Sequence, residues 1–442
     1  MNLFKQTLRP PPLSQLIQSR MREDDFKRVK RLGFLLEHFH LKHTVTELVS
    51  GRKIVINGRE VINFGSANYL GYDQHPEVIK ASQEALAKLG AHAGCSRIFS
   101  SHFNIVALEQ EISELVGSQA TMIGHNISQI HAGVIPALFS SENSVLYVDR
   151  FAHTSIFQAC LIAKAKGAEI VRVDVANLKE TQQKIQSTKK ERNCLFVDGV
   201  YSMQGHIPPL VQLSEMAKDE NVILYVDDAH GVGVYGENGG GVREEFNLSF
   251  ENLLLVGSLQ KAFGTYGGFI CGEREVIEFL RSTSKAYIFS GTLQPSAVEG
   301  ARKAVELCQT PEGRVLRQRL KTVSSHVRVE LRQLGFDVPL GDSPIVPVGI
   351  GLDLTTLMTG RKMFDLGMYV NSVTFPAVPQ GQGVLRISLT AIHSDSDIAA
   401  LLTAFAELNN YLKKHESQLK SFLHSGTEIT LSKLLGKNYG GL

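Results

Sequence analysis

The sequence predicts an α/β protein, with helices packed around a mostly parallel sheet and a smaller α+β unit after it. Three observations carry this. From about residue 75, helical segments alternate with short apolar runs, the pattern of a sheet covered on both faces. Polar residues, Asp149, Asp198, Asp227 and Ser258, sit at the ends of four of those runs, where open α/β sheets bind ligands. Beyond about residue 300 the alternation gives way to long helices and then the runs SPIVPVGI and VLRISLTA, which read as a separate α+β unit.

Taken in order, Pro10-Pro11-Pro12 precede a charged amphipathic helix over 13–40. KIVINGREVINF (53–64) reads as a hairpin, because Asn57-Gly58 suits a two-residue turn that needs positive φ twice. PEVIKASQEALAKLG is a helix. The strands expected after it are SVLYVD (144–149), EIVRVD (169–174), CLFVDG (194–199), VILYVDD (222–228), LLLVGS (253–258) and GGFICG (267–272), followed by helices over 301–335. The expected division is an arm and hairpin over 1–60, a large domain over 61–300, a small domain over 301–414 and an extension over 415–442, whose LSKLLG offers a docking segment.

Composition excludes some classes. Lys plus Arg number 46 against 44 Asp plus Glu, and a net charge of +2 gives no electrostatic case for nucleic acid. The five cysteines are scattered, with no CxxC pair and no metal-ligand cluster, which fits reduced thiols in the cytoplasm. No apolar run reaches membrane-span length and no signal-peptide core is present; any membrane contact is expected only through the termini.

The chemistry concentrates at two strand ends. GSLQKAFGTYGG (257–268) places Lys261 on a glycine-rich turn after a buried run. VDDAHGVGVYGENGGG (226–241) ends another buried run on Asp227-Asp228 and follows with His230. A buried carboxylate is costly unless it meets a cation or strong donors, so Asp227 and Lys261 are expected to face one ligand. A ring nitrogen for the carboxylate, an aldehyde for the amine and a phosphate for Ser258 describe pyridoxal phosphate. His153, in DRFAHTS, offers a flat ring to stack on the pyridine, though a histidine there also suits a helix start.

VDDAHGVGVYGENGGG, SLQKAFG, DRFAHTS, VDGVYSMQGHIPPL and LRISLTAIHS, in this order over residues 45 to 410, resemble the α-oxoamine synthases, fold type I pyridoxal 5'-phosphate enzymes. The resemblance implies the aspartate-aminotransferase fold: a large domain with a seven-stranded, mostly parallel sheet and a small C-terminal domain. It implies Lys261 as the lysine that carries the cofactor and later acts as base, Asp227 as partner of the ring nitrogen, and His153 as the stacking ring. His230 and Ser202 would contact the phenolic oxygen, Ser258 the phosphate and Arg386 the amino-acid carboxylate. Family members are homodimers, so Thr292 is expected at a neighbouring subunit's phosphate.

The resemblance further implies condensation of an amino acid with an acyl thioester, carried by coenzyme A or an acyl carrier protein, with loss of carboxylate to give an aminoketone. SPIVPVGI and FPAVP are most similar to the serine palmitoyltransferase and glycine acetyltransferase branches and lean toward a medium or long acyl chain. Other readings that share these residues are synthesis of an aminoketone signal, amino-group transfer, and a non-catalytic subunit. Three departures bear on the substrate. Ala67 stands where family members place asparagine, leaving Asn68 as the candidate substrate ligand. The cofactor loop IGHNISQIHAG (123–133) carries Ile127-Ser128 in place of glycine and an aromatic. FNIVALE lacks a histidine often found there.

Overall fold

The computed structural model describes residues 46–425 except 51, 95 and 376. The helix expected over 13–40, Cys95 and the LSKLLG segment lie outside the described residues. The hairpin forms as expected: β2 (Lys53–Ile56) and β3 (Arg59–Asn63) pair antiparallel, with β1 (Thr46–Ser50) alongside. Asn57 and Gly58 take φ of 50° and 73°, the two left-handed positions that such a turn requires. The sheet is completed by β12 (Met368–Tyr369), which returns from far along the chain to pair parallel with β3.

The central sheet has seven strands. They are β4 (Ala120–Gly124), β5 (Ser144–Asp149), β6 (Glu169–Val173), β7 (Arg192–Asp198), β8 (Ile223–Asp227), β9 (Leu253–Ser258) and β10 (Gly268–Gly272), in spatial order β4-β10-β9-β8-β7-β5-β6. All neighbours are parallel except β10, which runs antiparallel to both β4 and β9. The α/β class and the seven-stranded sheet agree with expectation. β4 is an addition: its sequence ATMIG is short and bounded by no strong turn signal.

Helices α1 (Pro76–Leu89), α2 (Phe103–Val116), α3 (Ile127–Phe139), α4 (Thr154–Lys164), α5 (Leu178–Thr188) and α6 (Leu210–Asp219) flank the sheet, with the short α7 (Val242–Glu245), α8 (Arg274–Thr283) and α9 (Lys285–Ile288) after them. The segment read as a cofactor loop over 123–133 is instead a strand end, two linking residues and the first two turns of α3. Asn126 caps that helix, its side-chain oxygen accepting the Gln129 N–H at 2.8 Å.

α10 (Pro295–Gln309) and α11 (Pro311–Gln333) lead to a three-stranded antiparallel sheet, β11 (Ile345–Gly351), β14 (Gly383–Ser388) and β13 (Asn371–Val373). α12 (Asp353–Asp365) connects β11 to β12, and α13 (Asp395–Ser425) closes the described chain, running across the boundary expected at 414. A buried Glu109 on α2 ties several parts together. It accepts from Arg97 Nη2 at 3.0 Å, from Arg281 Nη2 at 2.8 Å and from the Ile123 N–H of β4 at 3.0 Å. Among the described residues no helix is long and apolar enough to cross a membrane, and no group of acidic, histidine and cysteine side chains could hold a metal.

Candidate active site

Parallel pairing sets Asp198 at the end of β7 directly beside Asp227 at the end of β8. β9, the next strand over, ends at Ser258, and the chain then turns tightly through Lys261, whose carbonyl accepts the Gly264 N–H at 3.0 Å. Gly264 has φ of 61°, and a Cβ there would collide with the backbone of Asp73; both the turn and the close approach require glycine. These strand ends open into a cavity of about 190 Å3, lined by Lys261, Asp227, Asp198, His153, His230 and Ser258, and by Asn126, Ile127 and Ser128 at the start of α3.

The doublet Asp227-Asp228 splits because successive strand residues point to opposite faces. Asp227 lines the cavity. Asp228 turns away, its Oδ2 accepting the Val242 N–H at 2.8 Å, under a turn whose Gly231 and Gly241 leave room for the carboxylate. Burial pushes the Asp227 carboxyl up, but the hydrogen bond from His131 and the Lys261 charge beyond outweigh it and hold the group below its ordinary range. At Asp198 the His153 N–H, 3.0 Å from Oδ1, and the Lys261 charge do not outweigh burial and the Asp227 charge, which push it well up, so one carboxyl of the pair is ionised and the other is neutral.

Lys261 Nζ lies 2.9 Å from His230 Nε2, and His230 Nδ1 lies 2.6 Å from the Tyr69 hydroxyl. Burial draws the Lys261 ammonium down to about 8, with the Asp227 carboxylate opposing and Arg386 adding to the fall. His230 is driven well below its usual value, first by burial and then by the Lys261 and Arg386 charges, so it is a neutral ring. With Lys261 donating to Nε2, the ring proton sits on Nδ1 and is donated to Tyr69. Tyr69 is pushed up to about 12 by burial and also bonds the Arg386 guanidinium, making a buried chain from Arg386 through Tyr69 and His230 to Lys261.

The other expected residues fall into two groups. His153 does both things the sequence allowed: it caps α4 with Nδ1 accepting the Ser155 N–H at 3.4 Å, and its ring lines the cavity; burial lowers its pKa. Ser258 lies on the cavity wall with Oγ accepting the Gln260 N–H at 3.1 Å. Five residues are not on that wall: Arg386, Ser202, Asn68, Thr292 and Asp149. Ser202 presents its backbone carbonyl to Arg386 Nε at 2.6 Å, which seats Arg386 behind Tyr69. Asn68 directs its amide nitrogen to Asp73. Thr292 has a buried hydroxyl without a partner, in a separate small pocket with Arg97 and His125. Asp149, one of the expected strand-end ligands, instead accepts the Phe151 and Val175 N–H groups and the Tyr201 hydroxyl, and shapes the loops after β5 and β6.

A family profile for aminotransferases of class I and II matches residues 59–405. Among curated relatives, 8-amino-7-oxononanoate synthase from Geobacter sulfurreducens is 33% identical over 363 residues, 82% of this chain and 92% of that protein. The same enzyme from Thermoanaerobacter pseudethanolicus is 33% identical over 372 residues, 84% and 93% of the two chains. The chain belongs to the α-oxoamine synthase family. A serine palmitoyltransferase solved with pyridoxal phosphate superposes with a TM-score of 0.83 at 28% identity, covering 89% of this chain and 98% of the other. The Sphingomonas wittichii serine palmitoyltransferase gives the same score and identity over 89% and 99%.

The cofactor that goes with this membership is pyridoxal 5'-phosphate, and the residues present fit it. The cavity sets a desolvated amine opposite a buried, ionised carboxylate, and a helix N-terminus with free N–H groups opens onto the same space beside the Ser258 hydroxyl, a ready anion site. Two participants escaped the sequence reading, Tyr69 and His131. Tyr69 stands in the ANYLG stretch where attention fell on Ala67 and Asn68. His131 had one usable signal: Tyr225 and Asp227 share a face of β8 at i, i+2, so a polar group able to serve both was to be sought elsewhere in the chain.

Proposed function

We propose that this member of the α-oxoamine synthase family condenses an amino acid with an acyl thioester and releases carbon dioxide to give an aminoketone. The observation that carries the reading is Lys261, an amine neutral above about pH 8, held in one cavity with ionised Asp227. The cofactor, when bound, supplies the electron sink that lets a bond at the amino acid's α-carbon break.

The chain's own residues do the rest. Lys261 holds the cofactor and, once freed, moves a proton at Nζ with neutral His230 beside it. With the cofactor bound, Asp227 would keep a negative charge for the ring nitrogen, His153 would offer its ring for stacking, and Ser258 with the first N–H groups of α3 would receive the phosphate. Arg386, oriented by the Ser202 carbonyl and Tyr69, binds the substrate carboxylate. Arg386, Ser202 and Asn68 all lie off the cavity wall; we assign Ser202 to seating Arg386, and carboxylate binding to Arg386, which connects to Lys261 through Tyr69 and His230.

The working form is a homodimer in this reading. Phe99 and Phe289, 82% and 83% exposed, stand on segments joined by Ser96 Oγ donating to the Ile288 carbonyl at 2.6 Å, next to the unsatisfied Thr292 hydroxyl. A second copy covering this apolar rim would bring Thr292 to its phosphate. The acyl donor is coenzyme A or a carrier protein.

Borohydride reduction of the yellow protein followed by peptide mapping tests the cofactor site; the label is expected on Lys261, and a label on another lysine ends the assignment. Incubation with amino acids and acyl-coenzyme A, following free thiol and carbon dioxide together, tests the reaction. Formation of a keto acid without thiol release would point to amino-group transfer instead.

A further inference from the structure

His131 lies in the second turn of α3 and is wholly buried. Its Nε2 is 3.0 Å from Asp227 Oδ2 and its Nδ1 is 2.9 Å from the Tyr225 hydroxyl. Burial, reinforced by the Asp227 charge, pushes the Tyr225 phenol far up, so Tyr225 keeps its proton. That proton is donated to Nδ1, which places the ring's own proton on Nε2, aimed at Asp227. The Ala229 N–H, 3.1 Å from Oδ1, fixes the other oxygen. The carboxylate is thus gripped from behind by α3 and by the turn that follows its own strand, with lone pairs left toward the cavity.

We propose that His131, locked in one tautomer by Tyr225, is a positioning residue that orients Asp227 and thereby sets how strongly the protein favours the protonated ring nitrogen of pyridoxal phosphate. The inference rests on the reading of Asp227 as the ring-nitrogen partner. An imidazole N–H on the rear lobe keeps the carboxylate both ionised and turned to the cavity, a role that neither an apolar side chain nor the opposite tautomer fills.

The test compares two ligands in cofactor-stripped protein, pyridoxal phosphate and its 1-deaza analogue, which carries carbon in place of the ring nitrogen. Both present the same aldehyde and phosphate, so the ratio of their dissociation constants isolates the ring-nitrogen contact. His131→Phe is expected to lower the preference for pyridoxal phosphate by about tenfold or more, the size of a hydrogen bond to a charged group, while binding of the analogue changes little. His131→Gln, which retains an N–H donor, should restore part of the preference. Asp227→Asn is run in parallel and should abolish it.

A parent-like ratio in His131→Phe alongside a collapsed ratio in Asp227→Asn overturns the proposal and leaves the Asp227 reading standing. An unchanged ratio in Asp227→Asn overturns that reading, and the proposal with it. If His131→Phe fails to fold, Tyr225→Phe decides by the same ratio, because it frees Nδ1 while nearly preserving shape; a parent-like ratio there rejects the tautomer lock.

Discussion

Replacing Lys261 by methionine should stabilise the cofactor-free protein at neutral pH and lose that advantage in alkali. Burial brings the Lys261 ammonium from 10.5 to about 8. Below pH 8 the folded and unfolded chains both hold the proton, and the folded chain bears the whole cost of the buried charge, at most about 3 kcal/mol for a displacement of this size. Between about 8 and 10.5 the folded chain has released the proton while the unfolded chain retains it, so stability rises with pH. Above that window the charge cost is gone. Methionine keeps most of the stem without the charge and gives up the hydrogen bond to His230, about 1 kcal/mol. Lys261→Met should therefore exceed the parent by about 2 kcal/mol at pH 7 and fall about 1 kcal/mol below it near the top of the window. Urea midpoints of the two apoproteins across this range measure the difference directly. A difference that stays constant with pH would show that the amine is not held down by its surroundings, and the account of Lys261 as a nucleophile poised near neutrality would be wrong.

Asp227→Asn should retain cofactor yet lose turnover by about a hundredfold or more, because an amide cannot support the positive ring nitrogen; steady-state assays with cofactor absorbance read both. Arg386→Ala should weaken amino-acid binding by about ten- to a hundredfold, seen in spectral titrations, with cofactor content unchanged. Glu109→Ala strands Arg97, itself buried, and frees Arg281, and should lower unfolding stability by about 3–5 kcal/mol in denaturant titration.

Much of this protein was legible because the rules involved are local. Asn57-Gly58 dictates its hairpin through two positive φ angles, and SVLYVD and LLLVGS become β5 and β9 because apolar runs of that length, bounded by polar caps, suit covered strands. Lys261 and Asp227 stood out because a charged group closing such a run has no inexpensive place to go without a partner. The segment after β4 was misread as a loop: Gly133 and Pro136 argue against a helix locally, and burial of Ile130, Val134 and Ile135 against the sheet overrules them. Ser202, Asn68 and Thr292 were placed by motif, whereas tertiary packing decided what each touches. Ser202 acts through its carbonyl, which carries no side-chain signature, and Asn68 meets Asp73. His131 shows the limit most plainly. Its residue type and position are in the sequence, but its tautomer and its target follow only from α3 crossing behind β8 at hydrogen-bond distance from both Tyr225 and Asp227, and no periodicity within one segment encodes a contact made between two.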